Sequence, residues 1–309
     1  MRLVFLGTPA FAVPALEAVM NAGHHVLAVF TQPDRPRGRG QKAAPPPVKE
    51  AALRLGLAVH QPERIRRPES VEMLRALASE AMVVVGYGQI IPQSVIDLAP
   101  LGIFNVHASL LPKYRGAGPI QWAVINGELR TGVTIMRIDA GLDTGDMLLR
   151  AETGIGPEEN AIELGRRLAV MGADLLVETL RRLPEIVPEK QDSAHATYAP
   201  MLKKEDGLVD WSQPAQMIHN RIRGLQPWPG AYTSFRGQTL HLWRSRVYSE
   251  SESGLAGRFA RTKPLLVSCG AGLLELLEVQ LEGRKRVSAA DFANGQRLTD
   301  NETLGEPRT

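Results

Sequence analysis

The stretch MVVVGYGQIIPQSVIDLAPLGIFNVHA, Met82–Ala108, decides the fold. Two short apolar runs, MVVVGYG and GIFNVHA, flank a helical pattern over residues 92–99. Continuous apolar runs of this length, bounded by glycine and proline, belong to strands buried on both faces, and such strands have parallel neighbours joined by helices. Working outward, RLVFLGT, HVLAVFTQ and LAVHQ repeat the strand pattern, and helical patterns cover residues 12–22, 48–55 and 68–80. The expected architecture is α/β, a Rossmann-like parallel sheet covered on both faces. TGVTIMRI and DMLLRAETG add two strands, and an amphipathic helix is predicted over residues 160–183.

Composition changes after that helix. The stretch LPEIVPEKQDSAHATYAPMLKKEDG has prolines, charges and little periodicity, and residues 189–206 read as a linker between a first domain at 1–188 and a second at 207–309. In the second domain a helical pattern, SQPAQMIHNRIRGL, precedes short alternating segments around TSFRG, TLHLWRSRV, PLLVSCG and LLELLEVQLEG, which predict a small OB-like β-barrel. Trp228, Tyr232 and Trp243 have faces on which bases can stack, but tryptophan in a small barrel is expected in the core.

With 309 residues, 44% of them hydrophobic and 22% charged, the chain can bury a sizeable core in two domains. Its single cysteine, Cys269, cannot form an intramolecular disulfide, and the start of the chain has no signal-peptide pattern, so the cytoplasm is the expected compartment. No apolar run approaches the ~20 residues needed to cross a bilayer, and no membrane partner is expected. The formal charge of +3 lies wholly in residues 207–309, where 13 lysines and arginines face 10 acidic residues. Arg258, Arg261 and Lys263 form one cluster there, and Arg284, Lys285 and Arg286 another. A nucleic-acid partner fits this distribution, and so does a solvated basic face. The segment DRPRGRGQK, Asp34–Lys42, adds Arg35, Arg37, Arg39 and Lys42 on a loop whose glycines and prolines let it follow a phosphate backbone.

The first strand runs into GTPAFAVPALEAV, with Gly7 alone where a dinucleotide site needs G-x-G-x-x-G and a P-loop needs a Gly-Lys-Ser/Thr end. Neither phosphate fingerprint is present. In open α/β sheets ligands still bind beyond the carboxyl ends of the strands, and Asn105 and His107 lie at such an end. Side chains alternate along a strand, so this amide and imidazole share one face while Phe104 and Val106 share the other. The loop RIDAGLDTGDML supplies Asp139, Asp143 and Asp146, any of which can orient His107. An amide donor, a histidine and a carboxylate suit acyl transfer without an enzyme nucleophile. On spacing alone the alternative stands that His107 is an ordinary strand-end histidine and the aspartates are turn formers. No HExxH or cysteine cluster appears, so no metal is expected.

NVHASLLPKYRGAGPIQ followed by DAGLDTGDM resembles the folate-dependent formyltransferases. YAPMLKKEDGLVDW, IRGLQPWPGAYT and KRVSAADFANGQRL are similar to the linker and carboxyl-terminal domain of the members that act on methionyl-tRNA, so the resemblance covers nearly the whole chain. It implies transfer of the formyl group of 10-formyltetrahydrofolate, a donor substrate, to the α-amine of initiator methionyl-tRNA. It also implies that Asn105, His107 and Asp143 are catalytic, the first two stabilising the oxyanion and Asp143 orienting His107. Asp139 and Asp146 are then supporting residues. The folate would lie against Ser109, Leu110, Leu111 and Pro112, and against Tyr87, Gly88, Gln89 and Ile90 in VVVGYGQIIP. Gly86 departs from the alanine usual in the family. The loop carrying Arg35, Arg37, Arg39 and Lys42 would enter the acceptor stem, with Arg39 the foremost contact. A monomer is expected. Two alternatives remain: a formyltransferase or 10-formyltetrahydrofolate hydrolase acting on a small molecule, and a non-catalytic tRNA-binding protein with a decayed site.

Overall fold

The computed structural model describes residues 1–37, 42–252, 254–300 and 302–305. The chain folds into two compact units. The first comprises Met1–Gly116, Thr131–Thr153 and Gly165–Tyr198, and the second Ala117–Arg130, Gly154–Leu164 and Ala199–Thr309.

The first unit opens with β1 (Arg2–Gly7), α1 (Val13–Asn21) and β2 (His25–Phe30). The basic segment follows as β3 (Arg35–Arg37) and β4 (Lys42–Ala44), then α2 (Pro47–Arg54), β5 (Val59–His60), α3 (Pro68–Leu77), β6 (Ala81–Val85), α4 (Gln93–Ile96) and β7 (Ile103–His107). Next along the chain come β8 (Arg115–Gly116), α5 (Pro119–Ile125), β9 (Arg130–Arg137), β10 (Met147–Gly154) and α6 (Ala161–Arg182).

The seven-stranded sheet has the order β10-β9-β7-β6-β1-β2-β5. From β5 to β7 every pairing is parallel, and β9 then joins β7 antiparallel. The continuous apolar runs are buried as their composition requires: all five residues of β6 and all five of β7 are buried. Strand order reverses beside β1, where Thr8 Oγ1 donates to the Tyr87 carbonyl at 2.9 Å and ties together the loops that follow β1 and β6. On the face of β7 opposite Asn105 and His107, α6 lies close. A Cβ added to Gly172 would sit 2.7 Å from Val106 Cγ1, so only glycine permits this approach.

Arg35–Arg37 pairs antiparallel with Lys42–Ala44, so the two ends of the basic segment are paired strands where a loop was expected; residues 38–41 lie outside the described residues. The root of the segment is fixed: the Asp34 carboxylate accepts Lys49 Nζ at 2.9 and 2.7 Å and Gln61 Nε2 at 2.7 Å. Arg39, the foremost expected tRNA contact, lies outside the described residues.

The segment read as a linker has little regular structure, in keeping with its lack of periodicity, but is hydrogen-bonded along its first part. Glu189 exchanges two 2.8 Å backbone bonds with Met147, and β11 (Tyr198–Ala199) pairs with β8.

The second unit contains α5 together with α7 (Ala215–Gly224), β12 (Ala231–Phe235), β13 (Gln238–Ser249), β14 (Phe259–Thr262), β15 (Leu265–Ser268), β16 (Leu273–Leu281), β17 (Val287–Ser288) and α8 (Ala289–Gln296). Its antiparallel sheet runs β12-β13-β16-β15-β14, with β17 on β16, and no pair among the described residues closes it from β14 to β12. The antiparallel sheet occupies the place foreseen for a small barrel. Phe235, Leu240, Leu242, Phe259, Val267, Leu274 and Phe292 form its core together with Trp211, which is 5% exposed and donates Nε1 to Thr233 Oγ1 at 3.0 Å. Trp228 and Trp243, expected in the core, are not core residues. Trp228 is 54% exposed, and Trp243 is half-buried with the Arg286 guanidinium 3.8 Å above its ring. The core position belongs to Trp211, whose indole N–H finds a buried partner.

Candidate active site

β7 places Asn105 and His107 on one face, at the end of the parallel part of the sheet. The register with β9 sets Met136 opposite Asn105 and Thr134 opposite His107, so these four side chains share a face. Asn105 is 9% exposed and His107 5%. The loop between β9 and β10 brings Asp143 to them. Its carboxylate lies between the two strand residues, with Oδ1 3.4 Å from Asn105 Nδ2 and Oδ2 3.6 Å from His107 Nδ1. Gly116 N–H holds Oδ2 at 2.8 Å. Asp143 has φ +53°, the left-handed region that Asn and Asp tolerate best among side-chain-bearing residues.

The neighbouring aspartates differ. Asp139 Oδ1 accepts Gly141 N at 3.0 Å and Thr144 Oγ1 at 2.7 Å and so builds the turn, while Asp146 uses its backbone carbonyl to pair with Arg137 N at 2.9 Å. Gly145 is required by close approach, because a Cβ there would overlap the Arg137 carbonyl. One of the three loop carboxylates therefore reaches the amide–imidazole pair, and it is Asp143.

His107 Nε2 bonds the Tyr114 carbonyl at 2.9 Å. A carbonyl only accepts, so Nε2 carries the hydrogen and Nδ1 faces the Asp143 carboxylate. A protonated imidazole in this position meets an acceptor at each nitrogen. Asn105, whose amide has two N–H groups, retains a donor that Asp143 does not use. The arrangement offers a hydrogen-bond donor for a developing oxyanion beside a histidine–carboxylate pair able to hold or relay a proton.

The residues expected to meet folate occupy two loops at the same end of the sheet. Ser109 is fully buried and donates Oγ to the Lys113 carbonyl at 2.6 Å, and Leu111 packs with Met136 and Met147. Thr134 shapes this turn by donating to Ser109 O at 2.7 Å and accepting from Leu111 N at 3.2 Å. Leu110 and Pro112 are half-buried, the latter after a cis peptide. In the second loop the Tyr87 ring is buried, and its carbonyl also accepts Gln32 Nε2 at 3.1 Å. Gly88 takes φ +84°. The Gln89 side chain is engaged by the 62–65 segment, accepting Ile65 N at 2.7 Å and donating to Pro62 O at 3.3 Å, whereas Ile90 is 86% exposed. A ligand at this loop would meet backbone groups and Ile90. Gly86, with φ +56°, leaves room for Pro9: a Cβ would stand 2.9 Å from Pro9 Cγ. Of the four basic residues, Arg35 is exposed, and Arg37 and Lys42 lie in the paired strands. Among the described residues no group of three or more His, Cys, Asp or Glu side chains is placed to hold a metal ion, and no helix is long and apolar enough to cross a membrane.

Three residues around the site carry no local signal that sequence reasoning found: Thr134, Arg115 and Gln191. Thr134 was accessible in principle, since alternation in TGVTIMRI places it on the same face as Met136. Gln191 lies in the segment read as a linker and has no local pattern to mark it.

Residues 1–180 match the Formyl transferase family, and residues 201–297 the C-terminal domain of Formyl transferase. The methionyl-tRNA formyltransferase of Solibacter usitatus is 73% identical over 308 residues, covering 99% of both chains. That of Citrifermentans bemidjiense is 51% identical over 310 residues, covering 99% of this chain and 97% of its own. In fold, the chain is similar to an N-formyltransferase from Helicobacter canadensis solved with folinic acid and dTDP-3-aminofucose, with a TM-score of 0.64, 18% identity, and coverage of 89% of this chain and 98% of that one. Matched in both domains and along its full length, the chain belongs to the methionyl-tRNA formyltransferase family.

Proposed function

We propose that this protein transfers a formyl group to the α-amine of methionyl-initiator-tRNA, giving N-formylmethionyl-tRNA for translation initiation in the cytoplasm. One observation supports this reading above the others: a single carboxylate, Asp143, lies between the side chains of Asn105 and His107 at the carboxyl end of β7. 10-Formyltetrahydrofolate supplies the formyl group. Its site would be formed by the Ser109–Pro112 turn and by the loop carrying Tyr87, Gly88, Gln89 and Ile90.

Acyl transfer requires a donor for the carbonyl oxygen as negative charge develops on it, and a route for the proton that the amine loses. The free amide N–H of Asn105 takes the oxygen. His107 adds a second donor by exchanging the Tyr114 carbonyl for that oxygen, an adjustment of the kind expected when an unliganded site closes on substrate. Asp143 fixes the ring plane, and the histidine–carboxylate pair would relay the proton lost by the amine to N10 of the folate as the formyl C–N10 bond breaks, so that tetrahydrofolate departs with it. Positioning provides the remainder, since amine and carbonyl are held together rather than meeting by diffusion. Division of labour follows the sequence: residues 1–188 carry the chemistry, 189–206 connect, and 207–309 contribute basic surface to the tRNA, joined by Arg35, Arg37, Arg39 and Lys42. The chain acts as a monomer.

Asn105→Ala and His107→Ala test the assignment in single-turnover formylation of methionyl-tRNA. Each should lose about 10²–10³-fold in rate, the usual cost of one oxyanion donor, with tRNA affinity near that of the unaltered protein. A His107→Ala enzyme turning over at near the unaltered rate would remove the catalytic reading.

A further inference from the structure

Gln191 belongs to a stretch with no helical or strand periodicity, yet every hydrogen-bonding position of its amide is engaged. Nε2 donates to the Asp143 carbonyl and to the Gly145 carbonyl, each at 2.8 Å. Oε1 accepts Arg115 Nε at 3.0 Å and Nη2 at 2.8 Å. An amide with two donors and two acceptor positions has one orientation that satisfies all four, so Gln191 is locked. Arg115 is 3% exposed and is the deeper member of the pair.

The partners of this network are the elements that set the site. Asp143 and Gly145 bracket the turn in which Asp143 takes φ +53°, a conformation that costs on the order of 1–2 kcal/mol unless its surroundings hold it. Consecutive residues on the other side carry the remaining constraints. Tyr114 O holds His107 Nε2, Arg115 holds Gln191, and Gly116 N holds the Asp143 carboxylate. Thr197, six residues beyond Gln191, fixes that tripeptide: its Oγ1 accepts Tyr114 N at 2.9 Å and its carbonyl accepts Arg115 N at 2.9 Å. The segment around 191–197 thus reaches both halves of the histidine–aspartate pair through groups that are not themselves reactive.

We propose that Gln191, oriented by Arg115, is a positioning residue for catalysis: by bridging the Asp143 and Gly145 carbonyls it sets where the Asp143 carboxylate stands relative to His107 and Asn105. The inference rests on the role assigned to Asp143 in the proposed function. Displacing a reacting or orienting group by as little as ~1 Å can cost about 10²-fold in rate, so a residue that fixes a strained turn influences turnover strongly without touching substrate.

The discriminating variant is Gln191→Glu. It keeps the size of the side chain and strengthens the pairing with Arg115, but turns a double donor into a carboxylate facing two carbonyls. Gln191→Met, of similar volume, removes both sets of bonds. Each is made alone and together with Asp143→Asn, and the readouts are kcat and KM for methionyl-tRNA formylation, the Kd of 5-formyltetrahydrofolate and the Tm. Turnover is expressed per analogue-binding site, so loss of folded protein does not register as loss of rate. Both variants should lower kcat by about 10–100-fold while KM and the analogue Kd stay within about threefold. In the Asp143→Asn background the same substitutions should change kcat by less than about threefold, because the group they position is already gone. Unchanged kcat in Gln191→Glu, or a loss of equal size in both backgrounds, overturns the proposal. Near-normal turnover of Asp143→Asn alone overturns instead the assignment of Asp143 on which it rests.

Discussion

Asp143→Asn isolates the charge at the centre of the site. Asparagine keeps the shape, tolerates the left-handed φ of +53°, and retains an oxygen for the Gly116 N–H, so the backbone has little reason to move. What disappears is the negative charge 3.6 Å from His107 Nδ1. At that separation, with an effective dielectric near 20, attraction between a carboxylate and an imidazolium is about 4–5 kcal/mol. The side chains are only 6% and 17% exposed, which limits screening. Allowing for residual solvent and for the amide dipole that replaces the charge, about 3–4 kcal/mol of stabilisation should be lost in the step where His107 bears charge, or about 10²–10³-fold in rate. Single-turnover formylation measures it, with Tm as control. Asp143→Ala supplies the contrast: a Cβ-only residue at positive φ loses about 1–2 kcal/mol of folded stability as well, so rate and Tm should fall together. An Asp143→Asn enzyme within about fivefold of the unaltered rate would refute the electrostatic argument.

Three further outcomes follow from other parts of the molecule. Thr134→Val keeps the buried volume but leaves Ser109 O and Leu111 N without their partner, and should cost about 1–3 kcal/mol in unfolding free energy while weakening 5-formyltetrahydrofolate binding; unchanged binding by calorimetry would detach Thr134 from the folate turn. Affinity for tRNA should fall steeply with salt, and replacing Arg35, Arg37, Arg39 and Lys42 by serine should reduce the slope of log affinity against log salt by about 0.7–0.9 for each residue that meets a phosphate; an unaltered slope in filter binding would exclude the basic segment as a contact. Burial holds the His219 imidazole below its ordinary value of 6.5, with Arg223 acting in the same direction and Glu158 and the bonds to Pro157 O and Ser245 opposing. The unfolded chain then binds this proton first, so the contribution is present above pH 6.5 and is lost as pH falls from there toward the folded-state value, at up to about 1.4 kcal/mol per pH unit; denaturant titrations of His219→Gln should show a shallower acid slope, and an equal slope would contradict the assignment.

The parallel sheet was legible because strands buried on both faces are written as continuous apolar runs, and β6 and β7 are such runs. Asn105 and His107 were legible as a pair because strand alternation fixes a shared face without tertiary information. Asp143 needed more: three aspartates occupy one glycine-rich loop, and only the turn built by Asp139, Thr144 and the close approach at Gly145 decides which of them reaches the histidine. Gln191 could not be found locally, because its bonds run to residues more than forty positions earlier, and a charged segment without periodicity has the composition of a tether whether or not it is tied down. The basic segment misled in a similar way. Its Gly and Pro content suggests a loop throughout, but Arg35–Arg37 and Lys42–Ala44 pair as strands at its two ends. Trp228 shows the limit of residue-type averages: tryptophan is usually buried, and this one is 54% exposed while Trp211 takes the core.

The most direct test of the proposed activity is a panel of acceptors offered to the purified protein with 10-formyltetrahydrofolate: initiator methionyl-tRNA, elongator methionyl-tRNA, free methionine, a nucleotide-linked amino sugar, and water alone. Initiator methionyl-tRNA should be formylated fast, with kcat/KM at least about 10³-fold above every small acceptor, because tRNA binding positions the amine before chemistry begins. Formylation of the amino sugar, or hydrolysis of the donor, at a rate equal to or above that with initiator methionyl-tRNA would contradict it.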